Sequence, residues 1–304
     1  MKKCLLNVEG GLGKNVMFTS ILEEFKTKKG YDEIYVISPY FDVFKCCPSV
    51  TDAFPPSQNN LYQELVLAED CDVYWKEPYS NQRFIKKQCH LFEAWAEELG
   101  FELSNKGDEY KPNLSKIETS FPELITLTNQ TLKQLGNDFV IVQFCGGQSP
   151  LCIQQDEHGC LAPYNAMNEP LKRNYFKGQE IINQIKKAKP NYKILHFSLP
   201  NEPSYEGAEK FQLPYLAYLL LAKHAKGVIT TDSSLQHIAT SVCDNVTVIW
   251  GETRPEHFGY KCNKNVCAKN VINSQAYFKP LGVSPSIVRM PEPEEIIKVS
   301  CLCE

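Results

Sequence analysis

Short apolar runs bounded by turn residues alternate along the chain with longer segments whose apolar positions recur at helical spacing. Cys4–Val8 predicts a strand, Gly10–Gly13 a tight turn, and Val16–Lys28 a helix with Val16, Phe18, Ile21, Leu22 and Phe25 on one side. Glu33–Ser38 predicts the next strand, closed by Pro39. A helix between two short apolar strands implies a crossover, and hence a parallel sheet. The stretch Leu61–Leu103 reads as a strand followed by a helix carrying Leu91, Trp95 and Leu99. From Ser104 to Pro122 the chain turns polar, which places a hinge there or after the helical Leu124–Leu135. The alternation then restarts. Strands are predicted at Asp138–Phe144, Lys193–Phe197, Gly227–Thr231 and Val246–Trp250, and helices at Gly178–Ala188, Tyr215–His224 and Ser234–Ser241, with a turn at Gly146-Gly147. Two successive α/β units predict a doubly wound pair, residues 1–136 and 137–304, the second ending in a tail.

Composition narrows the class. A chain of 304 residues, 43% hydrophobic and 22% charged, suffices for two cores and reads as a soluble globular protein. The net charge of −4 gives no basic field for nucleic acid or an anionic bilayer. The apolar run behind Met1-Lys2-Lys3 is too short for a secretory signal or a membrane span. Thirteen cysteines, odd in number and irregularly spaced, fit reduced thiols in a cytoplasm.

The most informative segment is GVITTDSSLQHIA, Gly227 to Ala239. An apolar strand ends at Thr231-Asp232 and turns through Ser233-Ser234 directly into a helix. Its first backbone N–H groups, with the helix dipole, suit an anion such as a pyrophosphate. His237, one turn in, is placed to donate to a phosphate oxygen. The bland alternative is that Asp232 or Ser233 caps the helix and that His237 is a satisfied core histidine. Another strand, VTVIWG, follows and leads into ETRPEHFGY, Glu252 to Tyr260.

The pairing of a D-S-S-L-x-H turn with a strand ending in G-x-T-x-P-x-x-F-G resembles glycosyltransferase family 9, which contains the ADP-heptose transferases of lipopolysaccharide core assembly. The resemblance is specific in the C-terminal half and looser in the N-terminal half. It implies a GT-B fold, two Rossmann-like domains facing across a cleft, with the acceptor on the N-terminal and the nucleotide sugar on the C-terminal side. Thr231, Asp232, Ser233, Ser234 and Leu235 then match the turn that holds the donor diphosphate, and His237 the family histidine. The loop VQFCGGQSP, with Gly147, Gln148 and Ser149, is similar to the small-residue loop after the domain's first strand. LKRNYF is similar to the basic segment after it, so that Lys172 or Arg173 neutralises the leaving diphosphate. Glu202 stands where the family places an acid against the nucleotide ribose, with a solvent-facing loop acid as the alternative.

In NVEGGLGKNVMF the glycines, Gly11 and Gly13, are expected to let a ligand approach the backbone. The family pattern carries an Asp after the last glycine as general base; here that residue is Lys14. An inverting transfer needs a proton acceptor, and Glu9 and Asp42 are the candidates, with Lys14 binding a phosphate or an acidic acceptor. Glu9 has a rival reading as a plain acid pairing with Lys14. The glycines match neither a phosphate-binding P-loop, whose Ser/Thr position holds Asn15, nor G-x-G-x-x-G, since Val16 replaces its third glycine. Asp70-Cys71-Asp72 mimics the D-x-D of metal-dependent transferases but reads as a solvated loop. Cys262, Cys267, Cys301 and Cys303 lack C-x2-C knuckles, so no metal is expected, although some relatives carry a cysteine metal finger.

These readings converge on an inverting, metal-independent transferase without a cofactor. It moves a heptose or related sugar from a nucleotide diphosphate to a bacterial surface glycan or lipid-linked glycan. The enzyme is expected in the cytoplasm, with peripheral contact with the membrane's inner face allowed and no partner nucleic acid. The alternatives are a catalytically silent nucleotide-sugar-binding protein of the same fold, which Lys14 favours, and, last, a nucleotide-sugar epimerase.

Overall fold

The computed structural model describes residues 1–58, 64, 65, 67, 71–146, 153–155, 161–163, 173–198, 202–211, 213–251, 253–269 and 290–302. The chain divides into two compact units, Met1–Leu127 and Thr128–Glu304.

In the N-terminal unit, β1 (Lys3–Asn7), β2 (Glu33–Ile37), β3 (Asp52–Phe54) and β4 (Cys71–Trp75) form a parallel sheet in the order β3-β2-β1-β4. The chain steps outward from β1 to β3 and then returns to the other side of β1. Strand order therefore reverses between β1 and β4, which end side by side at Asn7 and Trp75. The helix predicted over Val16–Lys28 is two helices, Leu12–Phe18 and Leu22–Lys29. Thr19, Ser20 and Ile21 donate to carbonyls three residues back, and the Thr19 hydroxyl takes the Val16 carbonyl at 2.7 Å, which breaks the regular ladder. Gly30, at φ 68°, closes the second helix. The helix Leu91–Leu99 starts at His90, whose Nδ1 accepts from the Phe92 N–H, and stacks Trp95 on Phe18 with ring centres 4.8 Å apart.

In the C-terminal unit, β5 (Phe139–Gln143), β8 (Lys193–His196), β9 (Val228–Thr231), β10 (Val246–Trp250) and β11 (Lys264–Cys267) form a second parallel sheet, ordered β11-β10-β9-β5-β8. The strands β6 (Ile153–Gln155) and β7 (Leu161–Pro163) make a separate antiparallel pair. Val140, Val142, Ile194, Ile229 and Ile249 form one core with Ile181, Ile182 and Ile185 of helix Gly178–Ala188 and Ile296 and Ile297 of helix Pro293–Ser300. Strands buried on both faces account for the nearly unbroken apolar runs. Here order reverses between β5 and β9, since the chain first passes to β8 and then back across β5. Among the described residues no helix is long and apolar enough to cross a membrane.

Candidate functional site

The D-S-S turn leaves β9 where the C-terminal sheet reverses its order, the place at which open α/β sheets bind ligands. Gln143, the polar residue closing β5, reaches across to it. Its Oε1 accepts from the Ser233 hydroxyl in a short bond and from the Thr230 hydroxyl at 3.4 Å. Ser233 is extended (φ −150°, ψ 175°) and precedes helix Ser234–Thr240 without capping it by its side chain. The capping reading therefore fails for Ser233, because Gln143 and Thr230 hold its hydroxyl.

Asp232 is 5% exposed. Its Oδ1 accepts from Gln236 Nε2 at 2.7 Å, and its Oδ2 lies 3.7 Å from Arg173 Nε. Arg173 is carried there by its neighbours: Asn174 Oδ1 accepts from the Gly146 N–H at 3.0 Å, and the Tyr175 N–H donates to the Phe144 carbonyl at 2.7 Å. The loop after β5 thus lies against the D-S-S turn. A methyl at Gly146 would come within 2.7 Å of the Asp232 carbonyl. Thr231 Oγ1 and Gln236 Oε1 are buried without a hydrogen-bond partner among the described residues.

His237 is buried, and its Nδ1 is 2.8 Å from the Tyr260 hydroxyl. Tyr260 closes the second motif, so this bond joins the two segments that carry the family resemblance. Burial holds the Tyr260 phenol well above its ordinary pKa, so it stays protonated. Gly259 lies against Pro255, where a side chain would meet the proline Cα at 2.6 Å. Leu235 is fully buried and serves the core, while Ser234 is the partly exposed first residue of the helix.

Glu202 is partly buried after β8, and its carbonyl accepts from Lys210 Nζ at 2.6 Å. Burial, with the nearby Glu202 charge, pushes the Cys145 thiol up to about 12. Gly147, Gln148, Ser149 and Lys172 lie outside the described residues, as do Asp70 and Cys303. Of the remaining cysteines, Cys267 sits in β11 while Cys262 and Cys301 are exposed. No three His, Cys, Asp or Glu among the described residues are grouped to hold a metal. Asp72 belongs to β4 rather than a loop and accepts from the Tyr31 hydroxyl at 2.6 Å.

In the N-terminal unit the left-handed residue of the glycine turn is Gly10 (φ 97°); Gly11 (φ −75°) precedes the helix and Gly13 lies in its first turn. The turn is clamped by Asn15, whose Nδ2 donates to the carbonyls of Gly10 (3.3 Å) and Gly11 (2.9 Å) while its Oδ1 accepts from Ser38 at 2.6 Å. Lys14 is buried and its Nζ meets Glu77 Oε2 at 2.6 Å. The expected pairing with Glu9 is replaced, since Glu9 is exposed beyond the end of β1 and Glu77 arrives from beyond β4. Asp42 is held in its own helix turn, accepting from the Val43 N–H at 3.1 Å. Asn15, Glu77, Gln143, Gln236 and Tyr260 escaped the sequence reading. Only Gln143, a lone polar end to an apolar strand, carried a local signal.

A sequence model of glycosyltransferase family 9 (heptosyltransferase) matches residues 195–281. Comparison with curated proteins gives no significant match. Among solved structures, a family 9 glycosyl transferase from Veillonella parvula DSM 2008 is 12% identical with a TM-score of 0.61, over 88% of this chain and 85% of that one. The ADP-heptose lipopolysaccharide heptosyltransferase II of E. coli is 12% identical with a TM-score of 0.61, over 100% and 98%. The iron-containing dodecameric glycosyltransferase TibC of enterotoxigenic E. coli H10407 is 14% identical with a TM-score of 0.55, over 86% of this chain and 62% of that one. The fold is that of the GT-B glycosyltransferases, built from two Rossmann-like units. Within that class the chain resembles family 9, the heptosyltransferases, in sequence over the matched segment and in fold along its length.

Proposed function

We propose that the protein is an inverting glycosyltransferase whose C-terminal unit binds a nucleotide-sugar diphosphate at the D-S-S turn. The observation carrying this reading is the turn's construction at the sheet's reversal point: an uncapped helix start, the glycine approach of the β5 loop, and Arg173 beside Asp232. The Arg173 guanidinium is the candidate to stabilise charge on the departing diphosphate, with Lys172 beside it in sequence. Asp232 orients that guanidinium and the Gln236 amide. His237, oriented through Nδ1 by Tyr260, contributes from the helix's second turn. Glu202 contacts the ribose.

The donor is read as an ADP-heptose or a related nucleotide sugar, in line with the family match. The acceptor is a bacterial surface glycan or its lipid-linked precursor, bound by the N-terminal unit. Donor binding is metal-independent and needs no cofactor, because helix N–H groups and basic side chains replace a divalent ion. The site of action is the cytoplasm, in peripheral contact with the membrane.

Titration with ADP, UDP and GDP tests the pocket: one of them raises the melting temperature of the wild type, and Asp232→Ala and His237→Ala each reduce that shift. Equal shifts in all three proteins would remove the pocket from this turn. Nucleoside diphosphate release from a panel of nucleotide sugars tests the reaction, and full activity in EDTA is expected. One observation favours a second reading, a silent nucleotide-sugar-binding protein: a lysine, Lys14, occupies the position where the family resemblance expects the base. Tight diphosphate binding without any sugar transfer would select it.

A further inference from the structure

We infer that Glu77 receives the proton of the acceptor hydroxyl, and that Lys14 holds it in place to do so. The inference rests on the transferase reading above. Open parallel sheets bind ligands beyond the carboxyl ends of the strands where the order reverses. In the N-terminal unit that point lies between β1 and β4, which end together at Asn7 and Trp75. Two chain segments leave it: the glycine turn ahead of Lys14, and Lys76–Ser80, which contains Glu77.

These segments are tied by Glu77. Its Oε2 meets Lys14 Nζ at 2.6 Å, and its Oε1 accepts from the Tyr79 N–H at 3.2 Å. The Lys14 side chain is 5% exposed whereas that of Glu77 is 48% exposed. A buried ammonium is costly without a partner, so Lys14 binds the carboxylate firmly while leaving it open to solvent. Gly10 provides the room, since a methyl there would lie 2.9 Å from Lys14 Cδ. The Tyr79 ring covers the ammonium at 5.3 Å. Among the described residues each carboxylate oxygen has one donor, which leaves a further lone pair on each for a hydroxyl.

Glu9, by contrast, is exposed, and no hydrogen bond or ion pair among the described residues orients it. In the transfer, the acceptor oxygen bonds to the anomeric carbon as the bond from that carbon to the diphosphate breaks, its electrons leaving with the diphosphate. The hydroxyl proton passes to Glu77. That proton becomes acidic only as the new bond forms, so an oriented carboxylate suffices as base. Lys14 takes no part in the proton transfer and acts as a positioning residue.

The test measures nucleoside diphosphate release from ADP-, UDP- and GDP-sugars in the presence of lipopolysaccharide core oligosaccharide, for the wild type, Glu77→Gln and the double variant Lys14→Met/Glu77→Gln. Melting temperatures and ADP-induced shifts are recorded alongside. Glu77→Gln is expected to lose roughly 10²- to 10⁴-fold in turnover with the ADP shift intact. The double variant, in which no buried cation is left unpaired, is expected to fold well and remain as slow. Recovery of turnover in the double variant would reduce Glu77 to a counter-ion of Lys14 and overturn the inference. Undiminished turnover in Glu77→Gln would overturn it too, with the transferase reading standing. A wild type that releases no diphosphate from any donor overturns both.

Discussion

Gly146 is the most exacting probe of the D-S-S turn. Replacing it with alanine puts a methyl carbon 2.7 Å from the Asp232 carbonyl, 3.0 Å from Thr231 Oγ1 and 3.2 Å from Arg173 Cβ. Ordinary contact begins near 3.4 Å, so the gap must open by about 0.7 Å. The nearest atom is backbone and cannot rotate away. Either β5 or the D-S-S turn has to shift, straining the bond from the Gly146 N–H to Asn174 and the seat of Arg173. Overpacking of this kind costs about 1–3 kcal/mol. In a unit of this size that lowers the melting temperature by roughly 2–4 °C per kcal/mol. Because the displaced atoms belong to the proposed anion site, the diphosphate-induced stabilisation should fall as well. Calorimetric or fluorescence melts with and without ADP measure both effects. Gly11→Ala is the control, since a methyl there meets nothing within 4 Å and its φ of −75° suits any residue. A Gly146→Ala protein with both the melting temperature and the ADP shift of the wild type would refute the proposed closeness of the two loops.

Two further outcomes are expected. His196 is buried with no hydrogen-bond partner for either ring nitrogen among the described residues, and burial, helped by the Lys210 charge, lowers it from 6.5 to about 4. The unfolded chain therefore takes up the proton first, so its contribution to stability is full above pH 6.5 and is lost as pH falls toward 4. Between pH 7 and pH 5 this one group should cost about 2 kcal/mol. Denaturant midpoints at the two pH values should show that loss in the wild type and a smaller one in His196→Phe; identical losses would refute the assignment. Tyr260→Phe removes the buried bond to His237 and should cost about 1 kcal/mol. Its ADP-induced shift should also shrink, because the imidazole loses the group that orients it. An unchanged shift would take His237 out of the proposed donor site.

Much of the fold was legible along the chain because its causes are local. Buried parallel strands require short apolar runs, and DFVIVQF, GVITT and VTVIW supply them with turn residues at their ends. The D-S-S turn was equally visible, since a strand, a small-residue turn and a helix are contiguous there. The division of Val16–Lys28 was not, because Thr19 looks like any helical threonine until its hydroxyl takes the Val16 carbonyl. β11 was hidden for another reason: as an edge strand it buries Val266 alone, and its flanking Lys264 and Asn265 read as loop.

The parallel α/β class, the glycine turn and the D-S-S motif were therefore written in neighbouring residues. Strand order, and with it both reversal points, arose only in three dimensions, because nothing local says on which side of β1 or β5 the returning chain will lie. The same holds for the side chains that complete the sites. Lys14 and Glu77 are 63 positions apart, Gln143 and Ser233 are 90, and His237 and Tyr260 are 23. A buried ammonium or hydroxyl must find a partner, but the chain only meets that demand once packing has brought distant segments together.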